Sequence, residues 1–135
     1  MDSFSHRDGE LHAEGVRVRD IAATAGTPCY VYSKATLVEH HRRIAEAFAA
    51  VQPLICYSVK SCGNLSVCRT LVECGAGMDV VSEGELRRAL AAGVSFGELT
   101  FGTVAGLDTV QWLDAFAAFQ RSSSHILNGS ELRAG

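Results

Sequence analysis

Strand-like and helix-like segments alternate four times after Pro53, with short connections between them, and this predicts an α/β fold of parallel βα units. The first strand run, Leu54 to Lys60, carries apolar and small residues on both sides, as a parallel strand covered by helices does. A doubly wound sheet and a (β/α)8 barrel both accommodate that alternation. The glycine-rich dinucleotide fingerprint is absent, because Lys60-Ser61-Cys62-Gly63-Asn64 follows the first strand instead. Barrel chemistry sits at the carboxyl ends of strands, where Lys60 and Ser82 to Glu85 fall. That placement suits a (β/α)8 (TIM-like) barrel, of which the alternation would supply a partial set of about four units after an N-terminal β-hairpin and strand; the doubly wound sheet stays open on the pattern alone.

In chain order, Phe4 to Glu14 reads as a hairpin around Asp8-Gly9, since glycine accepts positive φ. Val16 to Ile21 alternates briefly and leads into a short helix over Asp20–Ala25, stopped at Gly26. Thr27-Pro28 reads as a turn, and Cys29 to Tyr32 as a strand of β-favouring residues. Ser33 is a suitable N-cap for a helix from Lys34 to about Ala50, whose apolar face is Leu37, His41, Ile44, Phe48 and Val51. His40 and His41 are adjacent and do not share a helix face, so they make a poor metal pair; a satisfied or surface role is expected.

After the strand Leu54–Lys60, Asn64 caps a helix to about Cys74, with Leu65, Cys68 and Leu71/Val72 inward and Gly75 as its stop. Met78 to Val81 is the next strand. Ser82-Glu83-Gly84-Glu85 has the form of a capping box and opens a helix that buries Leu86, Ala89 and Leu90 and ends at Gly93. Glu98 to Val104 is a further strand and Leu107 to Phe119 a further helix. His125 to Leu127 suggests a last short strand, with Ser130 as a cap beyond it. Two regions follow: residues 1–33, the hairpin and strand segment, and residues 34–135, the N-terminal part of the barrel.

Composition narrows the function. The chain has 135 residues, 47% of them hydrophobic and 20% charged, with a net charge of −3. It has no basic stripe, which argues against nucleic acid. No signal-peptide pattern and no long apolar run occur, so a cytoplasmic protein without membrane contact is expected. Cys29, Cys56, Cys62, Cys68 and Cys74 make an odd count without an export signal, so disulfides are not expected. From Cys56 to Cys74 the cysteines recur every six residues, without the tight pairs zinc sites use, so no metal is expected.

Lysine is costly to bury and seldom closes a core strand without a task. A partly dry lysine loses its proton more easily and can then attack a carbonyl. Lys60 is therefore the leading catalytic candidate, against the alternative of a strand-end lysine with its amine in water. Asp79, which follows Met78 in the next strand, and Glu85, at the head of the following helix, are the acidic candidates. Local pairing is the alternative for Asp79, and the capping role alone for Glu85.

Several segments together resemble a known family. They are Asp8-Gly9-Glu10-Leu11, Gly26 to Tyr32, Tyr57-Ser58-Val59-Lys60-Ser61-Cys62, and Gly75 to Leu86 with its Asp79-Val80-Val81-Ser82-Glu83-Gly84-Glu85 core. In order and spacing they are similar to the N-terminal part of the diaminopimelate decarboxylases, within the barrel-type pyridoxal-phosphate decarboxylases of basic amino acids. The resemblance covers about the first hundred residues. It implies that Lys60 holds pyridoxal 5'-phosphate as a Schiff base, that Asp79 is the second-strand acid beside the cofactor, and that Glu85 supports active-site groups. The cofactor would act as an electron sink for decarboxylation of an amino-acid substrate.

The same resemblance marks departures. Gly106-Leu107 stands where the family commonly has a lysine-threonine pair, and Asn128 to Leu132 matches a later junction only after extra residues. A (β/α)8 barrel takes ~200 residues or more, so the phosphate loop, the ring-stacking histidine, the acid facing the pyridine nitrogen and the C-terminal β-domain of the family's homodimer are expected elsewhere. This chain is then expected to be an N-terminal portion, inactive alone. The alternatives are a non-catalytic pyridoxal-phosphate-binding barrel, a barrel-type racemase, or a truncated inactive remnant.

Overall fold

In the computed structural model, residues 3–102 and the isolated position Ala117 are described. The expected strand 125–127 and the cap at Ser130 lie outside the described residues, as does the helix 107–119 apart from Ala117, which is helical.

The first unit is antiparallel. Strands β1 (Phe4–Arg7) and β2 (Glu10–Ala13) pair with Phe4 opposite Ala13 and Arg7 opposite Glu10. Asp8 (φ 51°) and Gly9 (φ 79°) make the two-residue turn, both left-handed as a twisted hairpin requires. A short β3 (Val16–Arg17) adds to β2, and helix α1 (Val18–Ala25) follows, starting two residues before the expected Asp20. Gly26 (φ 82°) ends it, and the Thr27–Pro28 peptide is cis. The expected strand over Cys29–Tyr32 does not form. Those residues have β-favouring side chains but no ladder partner among the described residues, and Tyr30 is 92% exposed.

Helix α2 (Lys34–Ala47) is capped as its sequence predicts, with Ser33 Oγ accepting from the Thr36 N–H. It packs on helix α3 (Leu65–Glu73) through a limited part of its apolar stripe. Leu37 reaches the core, whereas Ile44, Phe48 and Val51 stay largely exposed. An amphipathic stripe buries only where a partner surface meets it. His41 Nε2 is buried without a hydrogen-bond partner among the described residues, so the expected satisfied or surface role is not what is found.

The second unit is a parallel sheet in the order β4 (Cys56–Ser58), β5 (Gly77–Val80), β6 (Leu99–Phe101), linked by α3 (Leu65–Glu73) and α4 (Glu83–Ala92). The mixed α/β class and the parallel βα units are thus as expected. The strands are shorter than their sequence runs. The first ends at Ser58, and Lys60 lies in a single 3-10 turn, Val59–Ser61, rather than in the strand.

The core fills one side of this sheet. Val59, Met78, Val80, Cys68 and Leu86 are essentially inaccessible, and Tyr57 and Leu99 pack against them. Burying each large apolar side chain here contributes roughly 1.5–3 kcal/mol. Helix α3 turns Val67, Cys68, Thr70 and Leu71 inward. Leu65, expected inward, is 39% exposed, because it stands in the first turn beside the cap. Helix α4 buries Leu86, Ala89 and Ala92 and stops at the left-handed Gly93 (φ 101°).

Candidate active site

Side chains alternate across a strand, so the core face of the sheet leaves a second, polar face. Met78 and Val80 of β5 point into the core, which puts Gly77 and Asp79 on the other side. The parallel register sets Ser58, Asp79 and Thr100 level across the three strands. They are bonded as a row: Ser58 Oγ donates to Asp79 Oδ2 at 3.1 Å, and Thr100 Oγ1 donates to Asp79 Oδ1 at 3.3 Å. Each carboxylate oxygen thus has a hydroxyl from a different neighbouring strand. Asp79 and Ser58 are half-buried and Thr100 is exposed.

Two glycines lie in the same region. A Cβ at Gly77 would stand 2.4 Å from the Glu98 carbonyl oxygen and 2.9 Å from Cys56 Sγ. A Cβ at Gly102 would stand 2.6 Å from Val81 Cγ1 and 3.6 Å from Asp79 Oδ1. Glycine is therefore what lets the strands approach closely around Asp79.

Lys60 follows directly at the carboxyl end of β4 and is exposed. Its backbone is tied on both sides. Val59 is 1% exposed and anchors the turn in the core. On the other side, Tyr57 Oη donates to the Cys62 carbonyl at 3.2 Å, and Cys68 Sγ lies 3.8 Å from the same oxygen. Burial pushes both the Tyr57 phenol and the Cys68 thiol up, which keeps them protonated as donors. The neighbouring Cys62 side chain pushes the pKa of the Tyr32 phenol up, so the segment before α2 also comes near this loop. Asn64 Oδ1 then accepts from the Ser66 and Val67 N–H groups and starts α3.

Glu85 departs from its expected capping box. Ser82 Oγ accepts from the Glu85 N–H at 3.3 Å, but the Glu85 carboxylate accepts from the Val81 N–H at 2.8 Å instead of from Ser82. It therefore fastens the residue just after β5 to the first turn of α4. One turn on, Arg88 Nη1 donates to the Gly63 carbonyl at 3.0 Å, in the loop that carries Lys60.

Of the three residues singled out from sequence, Lys60 and Asp79 come to the carboxyl ends of adjacent strands, and Glu85 holds the junction just beyond Asp79. Ser58, Thr100 and Arg88 were not legible in advance. Ser58 and Thr100 join Asp79 only through a register between strands distant in sequence, and Arg88 reads as one more charge on a solvated helix face. Among the described residues no group of three or more His, Cys, Asp or Glu side chains is arranged to hold a metal ion.

Residues 34–107, more than half of the chain, match the family described as pyridoxal-dependent decarboxylase, pyridoxal binding domain. The chain belongs to this family. Among relatives within it, the chain is 48% identical over 104 residues to the diaminopimelate decarboxylase of Pseudomonas aeruginosa, covering 77% of this chain and 25% of the relative. Among solved structures, one from Aquifex aeolicus superposes with a TM-score of 0.72 at 40% identity, over 77% of this chain and 26% of that one. The diaminopimelate decarboxylase of M. jannaschii in complex with L-lysine gives a TM-score of 0.70 at 32% identity, over 74% of this chain and 24% of that protein. The chain thus spans about a quarter of the length of the curated relatives it matches. In the family match, β4, β5 and the loops after them fall inside the pyridoxal-binding region, whereas β1 to β3 and α1 precede it.

Proposed function

We propose that this chain is the N-terminal, cofactor-anchoring portion of a pyridoxal-phosphate-dependent decarboxylase that converts meso-diaminopimelate to lysine and carbon dioxide. The observation that carries the reading is the exposed Lys60 at the carboxyl end of β4, beside a carboxylate fixed at the same end of β5, within the pyridoxal-binding match. Residues 34–135 are then part of a (β/α)8 barrel. Residues 1–33 are the segment that packs on a β-domain supplied by the rest of the protein, and the whole acts as a homodimer. The exposed apolar residues at the end of α2 and just after it support this, since Ile44, Phe48 and Val51 are the kind of surface a barrel unit turns to its neighbours.

The residues present fit pyridoxal phosphate. Lys60 offers a primary amine to an aldehyde on an open edge. Asp79 is held by two hydroxyls, so its carboxylate keeps one position, and it serves as the fixed acceptor and negative charge on the polar face. Gly77 and Gly102 keep that face shallow. Glu85 acts on the Val81 backbone and is a positioning residue. When bound, the cofactor supplies an electron sink for the carbanion left as carbon dioxide departs.

Substrate class is tested by joining this chain in frame to the remaining three quarters of the Pseudomonas aeruginosa enzyme in place of its own N-terminal part. The chimera is expected to release carbon dioxide from meso-diaminopimelate, while the chain alone turns over almost nothing. A chimera that loads cofactor yet prefers ornithine or arginine would overturn the assignment.

A further inference from the structure

Helix α4 makes two backbone attachments one turn apart. Glu85 accepts from the Val81 N–H at 2.8 Å, beyond the strand that carries Asp79, and Arg88 donates to the Gly63 carbonyl at 3.0 Å, in the loop that carries Lys60. A second observation concerns the space at Gly63. A Cβ there would stand 3.2 Å from Arg88 Cδ and 3.6 Å from Nε, so the Arg88 stem lies directly over this residue. Gly63 does not have the left-handed φ that would require glycine for backbone reasons. Its missing side chain therefore serves the arginine.

The rest of the loop is tied through Val59, which is buried against the core, and through the Cys62 carbonyl. Gly63 lies between that carbonyl and the Asn64 cap of α3, and its own carbonyl is bonded by Arg88. A charged donor on a backbone carbonyl is stronger than a neutral one, and the planar guanidinium adds orientation that an ammonium lacks.

We propose that Arg88 is a positioning residue for Lys60: by clamping Gly63 it sets the loop that presents the amine, while Glu85, one turn earlier, sets the loop after Asp79. The first turns of α4 thereby fix the spacing of the two strand ends that form the site. The proposal rests on the cofactor reading of Lys60 for its consequence but not for its geometry, so two readouts separate them.

The first readout is amide hydrogen exchange in the 135-residue chain. R88A and G63A are both expected to speed exchange at Ser61 to Asn64 while leaving β6 unchanged. R88K, which keeps the charge but not the fork, is expected to fall between R88A and wild type. The second readout is labelling. With pyridoxal phosphate and borohydride, Lys60 modification in R88A and G63A should slow on the order of tenfold, within the ~10²-fold that misplacing a reacting group can cost. Lys34 modification and the melting temperature should stay as in wild type. Unchanged exchange at Ser61 to Asn64 in R88A overturns the clamp, whatever the labelling shows. Slowing of Lys60 and Lys34 together, with a lowered melting temperature, also overturns it by showing a general structural role. Faster exchange with unchanged Lys60 labelling overturns the claim that the clamp acts on the amine. A wild-type chain left unlabelled at Lys60 overturns the cofactor reading and this consequence with it.

Discussion

The antiparallel unit at the N-terminus and the parallel unit after Pro53 are held together differently. In the first, β1 is exposed along its whole length, and Ala13 is the one hydrophobic residue of β1 to β3 that is buried. Its attachment to α2 is polar: the Glu14 carboxylate accepts from Ser33 Oγ at 2.8 Å and from the Ala35 N–H at 2.9 Å, and the Ser3 N–H donates to Thr36 Oγ1. In the second, a contiguous apolar core joins three strands to α3 and α4, and every candidate site residue stands on or beside that platform. The N-terminal unit is thus an attachment hung on the first turn of α2, whereas the parallel unit supplies the rigidity a site needs.

The largest effect is expected in the core. Leu86 is 1% exposed, and L86A is expected to cost about 2–5 kcal/mol in urea unfolding. V16A, at a residue 52% exposed in the N-terminal unit, should stay within ~0.5 kcal/mol of wild type. Similar losses for both would erase the distinction.

Next is the sheet itself. G77A forces a Cβ against the Glu98 carbonyl, a backbone atom that has nowhere to go, and a loss of roughly 1–3 kcal/mol should appear in the same unfolding assay. S82A removes the acceptor for the Glu85 N–H, and about 1 kcal/mol is the expected decrement.

The smallest effect concerns the polar attachment. The Ala35 N–H, and then the Ser33 hydroxyl, hold the Glu14 carboxyl below the ordinary carboxylate range. A depressed folded pKa means its stabilisation is complete above the unfolded value near 4.5 and is lost as pH falls through the lower folded value. E14Q should therefore be slightly less stable than wild type at neutral pH, and the two should converge in acid. A gap that widens in acid would contradict the assignment.

Local chemistry was the most legible part of this sequence. The caps at Ser33, Asn64 and Ser82, the Asp8-Gly9 turn and the stop at Gly93 each depend on a few adjacent residues, and each forms. The Cys29–Tyr32 strand failed because β-propensity needs a partner to pair with. Lys60 stood out because a lysine at the end of an apolar run is unusual. The partners of Asp79 did not, because the register of β4, β5 and β6 brings together residues that are remote in sequence. Glu85 followed its capping pattern only halfway, since its carboxylate reaches the Val81 N–H rather than that of Ser82.

Besides Lys60, the proposed cofactor anchor, the chain has only one other lysine, Lys34, which pairs with Glu73 on the surface. The most direct measurement is peptide mapping after incubation with pyridoxal phosphate and reduction with borohydride, which fixes the lysine–cofactor linkage as a secondary amine. A phosphopyridoxyl group on Lys60, with Lys34 nearly bare and K60R unlabelled at that position, is the predicted result. Label divided evenly between Lys34 and Lys60, or found on Lys34 alone, would contradict it.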